Sequence, residues 1–391
     1  MKAKSIKGNS TEEIGSSLRQ ILSESFKPTL AIVFISIKQD RKAVCEILVQ
    51  ENIDVLGATS CGEFIDGYQG EGSIVILLLD LNKEFYTILF EDISDRNLAD
   101  VAAQIAQTAL KKFSNPSLIV CSTGMSAAGQ YFDGEAMVKS IEENIGADKI
   151  FFGGMAGDDM TSTGTYVFTQ GRETDFGIAA LVVDGNKLLL SGMAITGWKP
   201  MGIARNVTKS IGNKIYTIDN ISAVEMYFKY LGKGEKKSDL DFKVLEELGF
   251  TYPFIAERTP GGEMVLRTPL KVDHQENALV LDVEMPENTK FWFSSPPDFD
   301  IVDEVLDEAT QLMSSKKAEA DALLIFSCAG RQPVLRPLVT EENDGLANVW
   351  KTPMAGFFTY GEYGRTKKGK QEFHSGACCW VALKEKIDTN G

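Results

Sequence analysis

Histidine is almost missing from this chain: His274 and His374 are the only two in 391 residues. Acid–base or metal chemistry centred on imidazole therefore has few places to sit. Cations are outnumbered as well, 40 Lys and Arg against 55 Asp and Glu, for a formal net charge of -15. That balance argues against nucleic acid and against an anionic membrane face, since both need clustered Lys and Arg. The short basic cluster Lys367-Lys368-Gly369-Lys370 reads as a solvated hairpin tip. No apolar stretch approaches the roughly 20 residues that span a bilayer. The opening Met1-Lys2-Ala3-Lys4-Ser5 is followed by polar residues rather than a signal-peptide core. No membrane insertion is expected, and a cytoplasmic location is. The six cysteines (Cys45, Cys61, Cys121, Cys328, Cys378, Cys379) form no CxxC pair and lie mostly in apolar runs, so free buried thiols are expected.

What the chain does have is a repeated pattern. An apolar fraction of 43% over this length allows two or three sizeable cores. The fold class read from it is mixed α+β: repeated β-α-β-turn-β units forming sheets flanked by helices, in two related domains. The first copy runs from a strand over 29–36 through a helix over 40–51 and a strand over 54–59. It then reaches the turn Gly57-Ala58-Thr59-Ser60-Cys61-Gly62-Glu63-Phe64. Strands over 73–80 and 84–91 follow, joined by a tight turn at 81–83. The second copy has a strand over 117–122, a helix over 133–145, a strand over 149–152 and the turn Gly153-Gly154-Met155-Ala156-Gly157-Asp158-Asp159. Strands over 164–169, 176–183 and 187–195 come next, the last two joined at 184–186. The third has a strand over 322–327, a helix over 340–350, a strand over 356–362 and a closing strand over 375–383.

Each turn ends on glycine and an acid: Gly62-Glu63, Gly157-Asp158, Gly361-Glu362. The pattern Gly-x-x-[Ser/Thr]-x-Gly-Glu-[Phe/Tyr] occurs at both 57–64 and 356–363. Glycine and acids are common in turns, but their recurrence at one place in the pattern points to duplication of a unit. The intervening chain reads differently. It has a helix over 219–231 capped by Asp219, a polar linker at 232–238, a helix over 240–248, strands near 263–268, 278–283 and 290–293, and an acidic helix over 300–314. The division expected is an extension at 1–27 and domains at 28–232 and 233–391.

These motifs, in this order, resemble the FIST family of sensory proteins. The N-terminal family domain is carried by Gly57-Ala58-Thr59-Ser60-Cys61-Gly62-Glu63, Phe152-Gly153-Gly154-Met155-Ala156-Gly157-Asp158 and Gly197-Trp198-Lys199-Pro200-Met201-Gly202. The C-terminal one is carried by Arg267-Thr268-Pro269, Ser327-Cys328-Ala329-Gly330-Arg331 and Gly356 to Glu362. The resemblance implies a bacterial or archaeal ligand-sensing module for small molecules such as amino acids, not an enzyme. It also implies a partner that is a histidine kinase or a cyclic-dinucleotide signalling protein. With little chain beyond Cys379-Trp380-Val381, the signal is expected to pass through that separate protein.

Two strand ends carry charges suited to a small zwitterion. Arg331 offers a planar fork for a carboxylate and Glu362 an anion for an ammonium group. Thr359, Tyr360, Gly330 and Gly361 are placed to add hydrogen bonds. Ser60, Glu63 and Asp158 are secondary candidates, with helix capping or turn stabilisation as their alternative roles. The competing reading is that Arg331 and Glu362 pair with each other and close the strand ends. An enzyme built on Cys328 or Cys61 would need a signature that neither residue has. A zinc site at His374, Cys378 and Cys379 fails because residues four apart on a strand are about 13 Å apart. No cofactor is expected. The family also offers a haem-binding nitric-oxide sensor as an alternative, with His374 as axial ligand.

Overall fold

A computed structural model describes residues 1–232, 248–258, 264–316 and 318–386. Its organisation is one βαβα-β-hairpin-β unit used three times. The first unit comprises β1 (Lys2–Gly8), α1 (Thr11–Ser23), β2 (Leu30–Ser36), α2 (Arg41–Gln50), β3 (Asp54–Ser60), the hairpin β4 (Glu63–Ile65) and β5 (Tyr68–Gly70), and β6 (Ile74–Asp80). The second repeats it as β7 (Tyr86–Asp92), α3 (Leu98–Lys112), β8 (Pro116–Ser122), α4 (Gly134–Ile145), β9 (Phe151–Met155), β10 (Val167–Thr169), β11 (Arg172–Thr174) and β12 (Gly177–Asp184).

The third begins at β13 (Leu188–Ile195) and is then interrupted. The insertion holds β14 (Lys199–Ile211), β15 (Lys214–Ile218), β16 (Ile221–Ser222), α5 (Ala223–Tyr230), β17 (Phe254–Glu257), β18 (Met264–Arg267), β19 (Pro269–Asp273), β20 (Ala278–Leu281) and β21 (Lys290–Ser295). The unit resumes with α6 (Ile301–Lys316), β22 (Ala322–Cys328), the short α7 (Arg331–Leu335), α8 (Leu338–Trp350), β23 (Met354–Thr359), β24 (Glu362–Arg365), β25 (Gln371–His374) and β26 (Cys378–Glu385).

No unit completes its own sheet. The strand orders are β1-β6-β2-β3-β10-β11, β7-β12-β8-β9-β24-β25 and β13-β26-β22-β23-β4-β5. Each unit thus gives its hairpin to the sheet of another, in a closed cycle of three. The register repeats too: Phe64 of the donated hairpin lies opposite Gly356, Phe168 opposite Gly57 and Tyr363 opposite Gly153. Those three glycines are equivalent. A side chain there would meet the incoming aromatic or the next strand's backbone, since a Cβ at Gly57 would lie 2.1 Å from the Phe168 ring.

The central strands are buried on both faces, as β2 with its sequence Leu-Ala-Ile-Val-Phe-Ile-Ser shows, and parallel pairing of β2 with β3 accounts for that. Alternate residues of each strand go to different cores. Leu30, Ile32 and Phe34 meet Ile119, Cys121, Leu324 and Phe326 in one core shared by all three sheets. There the Phe34 ring stacks on Phe357 with centroids 4.4 Å apart. Ala31, Val33 and Ile35 face outward onto α1 and α2, Leu118 and Val120 onto α3 and α4, and Leu323 and Ile325 onto α6 and α8. The insertion forms a fourth, separate sheet with its own core around Tyr227, Phe254 and Phe291.

Several sequence-based expectations change here. Residues 1–27 are not an appendage: β1 pairs along the whole of β6, from Lys2 opposite Asp80 to Gly8 opposite Ile74. Strands β6 and β7 do not form a hairpin, because β6 lies between β1 and β2 while β7 pairs with β12 in the next sheet. The same holds for β12 and β13. A division at 232/233 cuts through the inserted sheet, where β14 pairs with β21. Helix α5 is capped by Ser222, and Asp219 instead accepts from Arg205 Nη1 and Asn206 N, both at 3.0 Å. The linker and the helix expected over 240–248 lie almost wholly outside the described residues. No described helix is long and apolar enough to cross a membrane.

Candidate functional site

Arg331 begins α7, directly after β22, and is completely buried. Its fork is already full. Nε donates to Glu342 Oε2 at 3.1 Å and Nη2 to Glu342 Oε1, while Nη1 reaches Thr196 O at 2.8 Å and Gly376 O at 3.0 Å. Glu342, on the inner face of α8, is equally buried. Arg331 therefore does take a structural ion pair, but with Glu342 rather than Glu362, and the pair ties α8 to the carbonyls of two other segments. Gly330 precedes it beneath Phe250, whose Cβ would lie 3.1 Å from an added Cβ. Neither residue is offered to a ligand in this arrangement.

Glu362 is likewise sealed. It accepts from Thr359 Oγ1 at 2.5 Å and from Ala377 N at 2.9 Å. Thr359 also faces Ser327 O at 3.2 Å. Burial pushes the Glu362 carboxyl up to about 8, against the opposing pull of those donors. Glu63 repeats the motif in the first unit. It accepts from Ser60 Oγ, from Ser73 N at 3.0 Å and from Ser73 Oγ at 2.7 Å, and burial pushes it up to about 7. In both units the acid joins a hydroxyl three residues back to the residue just before the closing strand, Ser73 before β6 and Ala377 before β26. That geometry explains why the sequence pattern recurs word for word.

The second unit departs from it. Counting from the equivalent glycines, Ala156 stands where Ser60 and Thr359 stand, and Val167 opposes Ala58 where the register calls for an acid. Asp158 belongs to a longer turn. Its carboxylate accepts from Thr163 N at 2.6 Å, Gly164 N at 3.1 Å and the Tyr360 hydroxyl. Gly361 is packed so closely that a Cβ would lie 2.5 Å from the Phe373 ring. Glu362, Thr359, Glu63 and Ser60 thus fasten hairpins to closing strands, while Arg331 ties α8 to neighbouring carbonyls and Asp158 braces its own turn against Tyr360.

Accessible charge lies elsewhere, where the inserted sheet meets the three-sheet body. Arg258, just past β17, and Arg267, ending β18, both reach Glu135 in the first turn of α4. Arg258 also pairs with Glu372 on β25, which Lys370 joins at 2.6 Å. Asp282 faces Arg267 and accepts from Thr268 N at 2.9 Å and from Ser375 Oγ across the boundary. Unlike the sealed Arg331 and Glu342, the side chains of Arg258 and Glu135 are each 21% exposed. Sequence reasoning flagged Arg267 only as part of a strand end and missed Arg258, Glu135 and Glu372. The arginines at strand ends were the available signal; their ion-pair partners Glu135 and Glu372 lie more than 100 residues away in the chain.

The thiols do not suit a nucleophile. Burial pushes Cys61 up to about 12 and Cys328 well above its ordinary value, so both are held as neutral thiols. His374 does not fit a haem. Its Nε2 lies 3.3 Å from Gly364 O within the same hairpin, and burial pushes the ring down to about 4. Among the described residues no group of three or more His, Cys, Asp or Glu side chains is arranged to hold a metal ion.

Comparison with known proteins gives two matches of family models. The FIST N domain covers residues 29–221 and the FIST C domain residues 223–365. No curated protein matches the chain.

Proposed function

The chain belongs to the FIST family, whose domains are sensory modules for small ligands, and from that premise we propose that it captures a small zwitterion, an amino acid or a molecule of that class, between the inserted sheet and the three-sheet body. One observation carries this reading: the boundary between the two bodies is lined by a charge-balanced, partly open cluster. Arg258, Arg267 and Lys370 stand against Glu135, Glu372 and Asp282. A ligand bringing one carboxylate and one ammonium group enters such a cluster without changing its net charge. Paired guanidinium groups suit the carboxylate, and the buried acids suit the ammonium. Domain boundaries are also where small-molecule sites tend to form. The inserted body is joined to the third unit by two neighbouring connectors, at 196–198 and 296–300, so ligand held at the boundary alters how the two bodies meet. The family points to a separate signalling protein, a histidine kinase or a cyclic-dinucleotide enzyme, as the receiver.

The test is calorimetric titration of the whole chain against the twenty standard amino acids. At least one is expected to saturate, and Arg267→Ala to weaken it by tenfold or more, roughly the value of a charge-assisted hydrogen bond. Failure of every amino acid to bind overturns the ligand class. Equal affinity in Arg267→Ala overturns the location.

A further inference from the structure

Resting on that reading of the boundary, we propose that Glu135 is a built-in stand-in for the ligand's carboxylate, so that ligand binding displaces it and unlatches the inserted sheet from α4.

Two guanidinium groups converge on the one carboxylate of Glu135. Arg258 Nη2 lies 3.1 Å from Oε1, and Arg267 Nη2 meets Oε2. That is the arrangement a carboxylate receptor needs. Arg267 is fixed from behind, since its Nη1 donates to Leu266 O at 3.0 Å and its side chain is only 6% exposed. The receptor half is therefore held in place while its occupant reaches water. Glu135 is the acid that can leave. Its side chain is 21% exposed, whereas that of Glu372 is 1% exposed and is held by both Arg258 and Lys370. Leaving also costs Glu135 little, because a first-turn acid keeps its favourable place at the amino end of α4 when it turns out to solvent. The helix itself stays seated through Met137, Val138 and Ile141.

Glu135 is the point at which Arg258 and Arg267 together grip the second unit. Other links at that edge include the Arg258–Glu372 ion pair, Lys271 over the Tyr131 ring at 5.6 Å, the Ser375–Asp282 hydrogen bond, and Val283 against the second unit's outer core. At the connectors, Gly197 has φ +86, which favours glycine, and an added Cβ would lie 2.3 Å from Ile301 Cδ1. The insertion is thus latched at Glu135, and an incoming carboxylate competes for the latch.

The experiment follows arginine side-chain NMR signals of the ¹⁵N-labelled full chain during titration with sodium acetate, against sodium chloride at equal ionic strength. Acetate is the minimal carboxylate and has no ammonium group. The Arg258 and Arg267 Nε signals are expected to shift and saturate with acetate alone. Glu135→Gln, which removes the competitor and keeps the shape, is expected to tighten acetate binding by at least about tenfold. Arg267→Lys, which keeps the charge and loses the fork, is expected to weaken it by a similar factor. Arginine signals that ignore acetate, or an affinity unchanged in Glu135→Gln, overturn the proposal. Acetate binding with no amino-acid binding would leave the latch intact and remove only the zwitterion reading. Amino-acid binding that leaves both arginine signals unmoved would do the reverse.

Discussion

The guanidinium of Arg331 closes on the carboxylate of Glu342 with both side chains at 0% exposure. A buried pair of this kind contributes little over an apolar substitute, but halving it leaves a stranded charge, at a cost of about 3–5 kcal/mol. Glu342→Gln is therefore expected to destabilise the chain by about 3 kcal/mol or more. The double variant Arg331→Met with Glu342→Leu should lose less, even though Thr196 O and Gly376 O give up a donor. Urea unfolding of the two variants decides it. A double variant less stable than Glu342→Gln would mean that the carbonyl contacts, not the ion pair, are what Arg331 supplies.

Glu362 and Glu63 each make a pH-dependent contribution to stability. Their carboxyls are pushed by burial to about 8 and about 7, from an ordinary 4.5. At these two sites the native state keeps protons that the unfolded chain has released, so their contribution to stability falls as pH rises from about 4.5 to about 8, offset in part between about 4 and 6.5 by His374, which burial pushes down to about 4. Glu362→Gln carries no proton to lose. It is expected to match the wild type near pH 5, to exceed it above about pH 8, and to lose the part of the slope due to Glu362. Urea midpoints across this range are the measurement. A Glu362→Gln chain that is weaker by the same amount at every pH would show that the carboxylate is needed as an acceptor, whatever its charge.

Much of this architecture was legible because the unit is written into the sequence by its fasteners. The Ser60-to-Glu63 and Thr359-to-Glu362 spacings are the same hydrogen bond made twice, so the repeat at 57–64 and 356–363 is a repeat of geometry. What the pattern could not show is which sheet receives a strand. Asn82 and Asp184-Gly185-Asn186 look like hairpin turns, yet the strands they join part into different sheets, since adjacency in sequence does not fix pairing. The first strand was missed for a related reason. Lys2, Lys4 and Lys7 make β1 polar, as edge strands often are. The partner of Arg331 did leave a trace: Val339, Glu342, Leu346 and Trp350 recur at helical spacing on one buried stripe, and an acid on such a stripe calls for a buried cation. The Arg258–Glu135 contact left only an arginine at a strand end, since folding of the insertion is what brings those residues together.

The cyclic exchange of hairpins rests on three equivalent glycines, and the cleanest place to test it is Gly57 with Phe168. Phe168 lies opposite Gly57 in the register of β10 on β3, and its ring occupies the space a side chain at 57 would need, with Cε2 2.1 Å and Cζ 2.2 Å from a built Cβ. Phe168 is 1% exposed and packs into the outer core of the first sheet, so the ring has nowhere to withdraw. Gly57→Ala should then push the second unit's hairpin off the first unit's sheet, costing about 1–3 kcal/mol as overpacking does. Phe168→Ala alone should cost about 3–5 kcal/mol for the cavity it leaves. The two losses should not add: with the ring gone, the methyl at 57 enters vacated space, and the double variant is expected to be no less stable than Phe168→Ala alone. A double-mutant cycle in urea reads the coupling directly. Strict additivity would place the Phe168 ring away from Gly57 and break the register on which the threefold exchange depends.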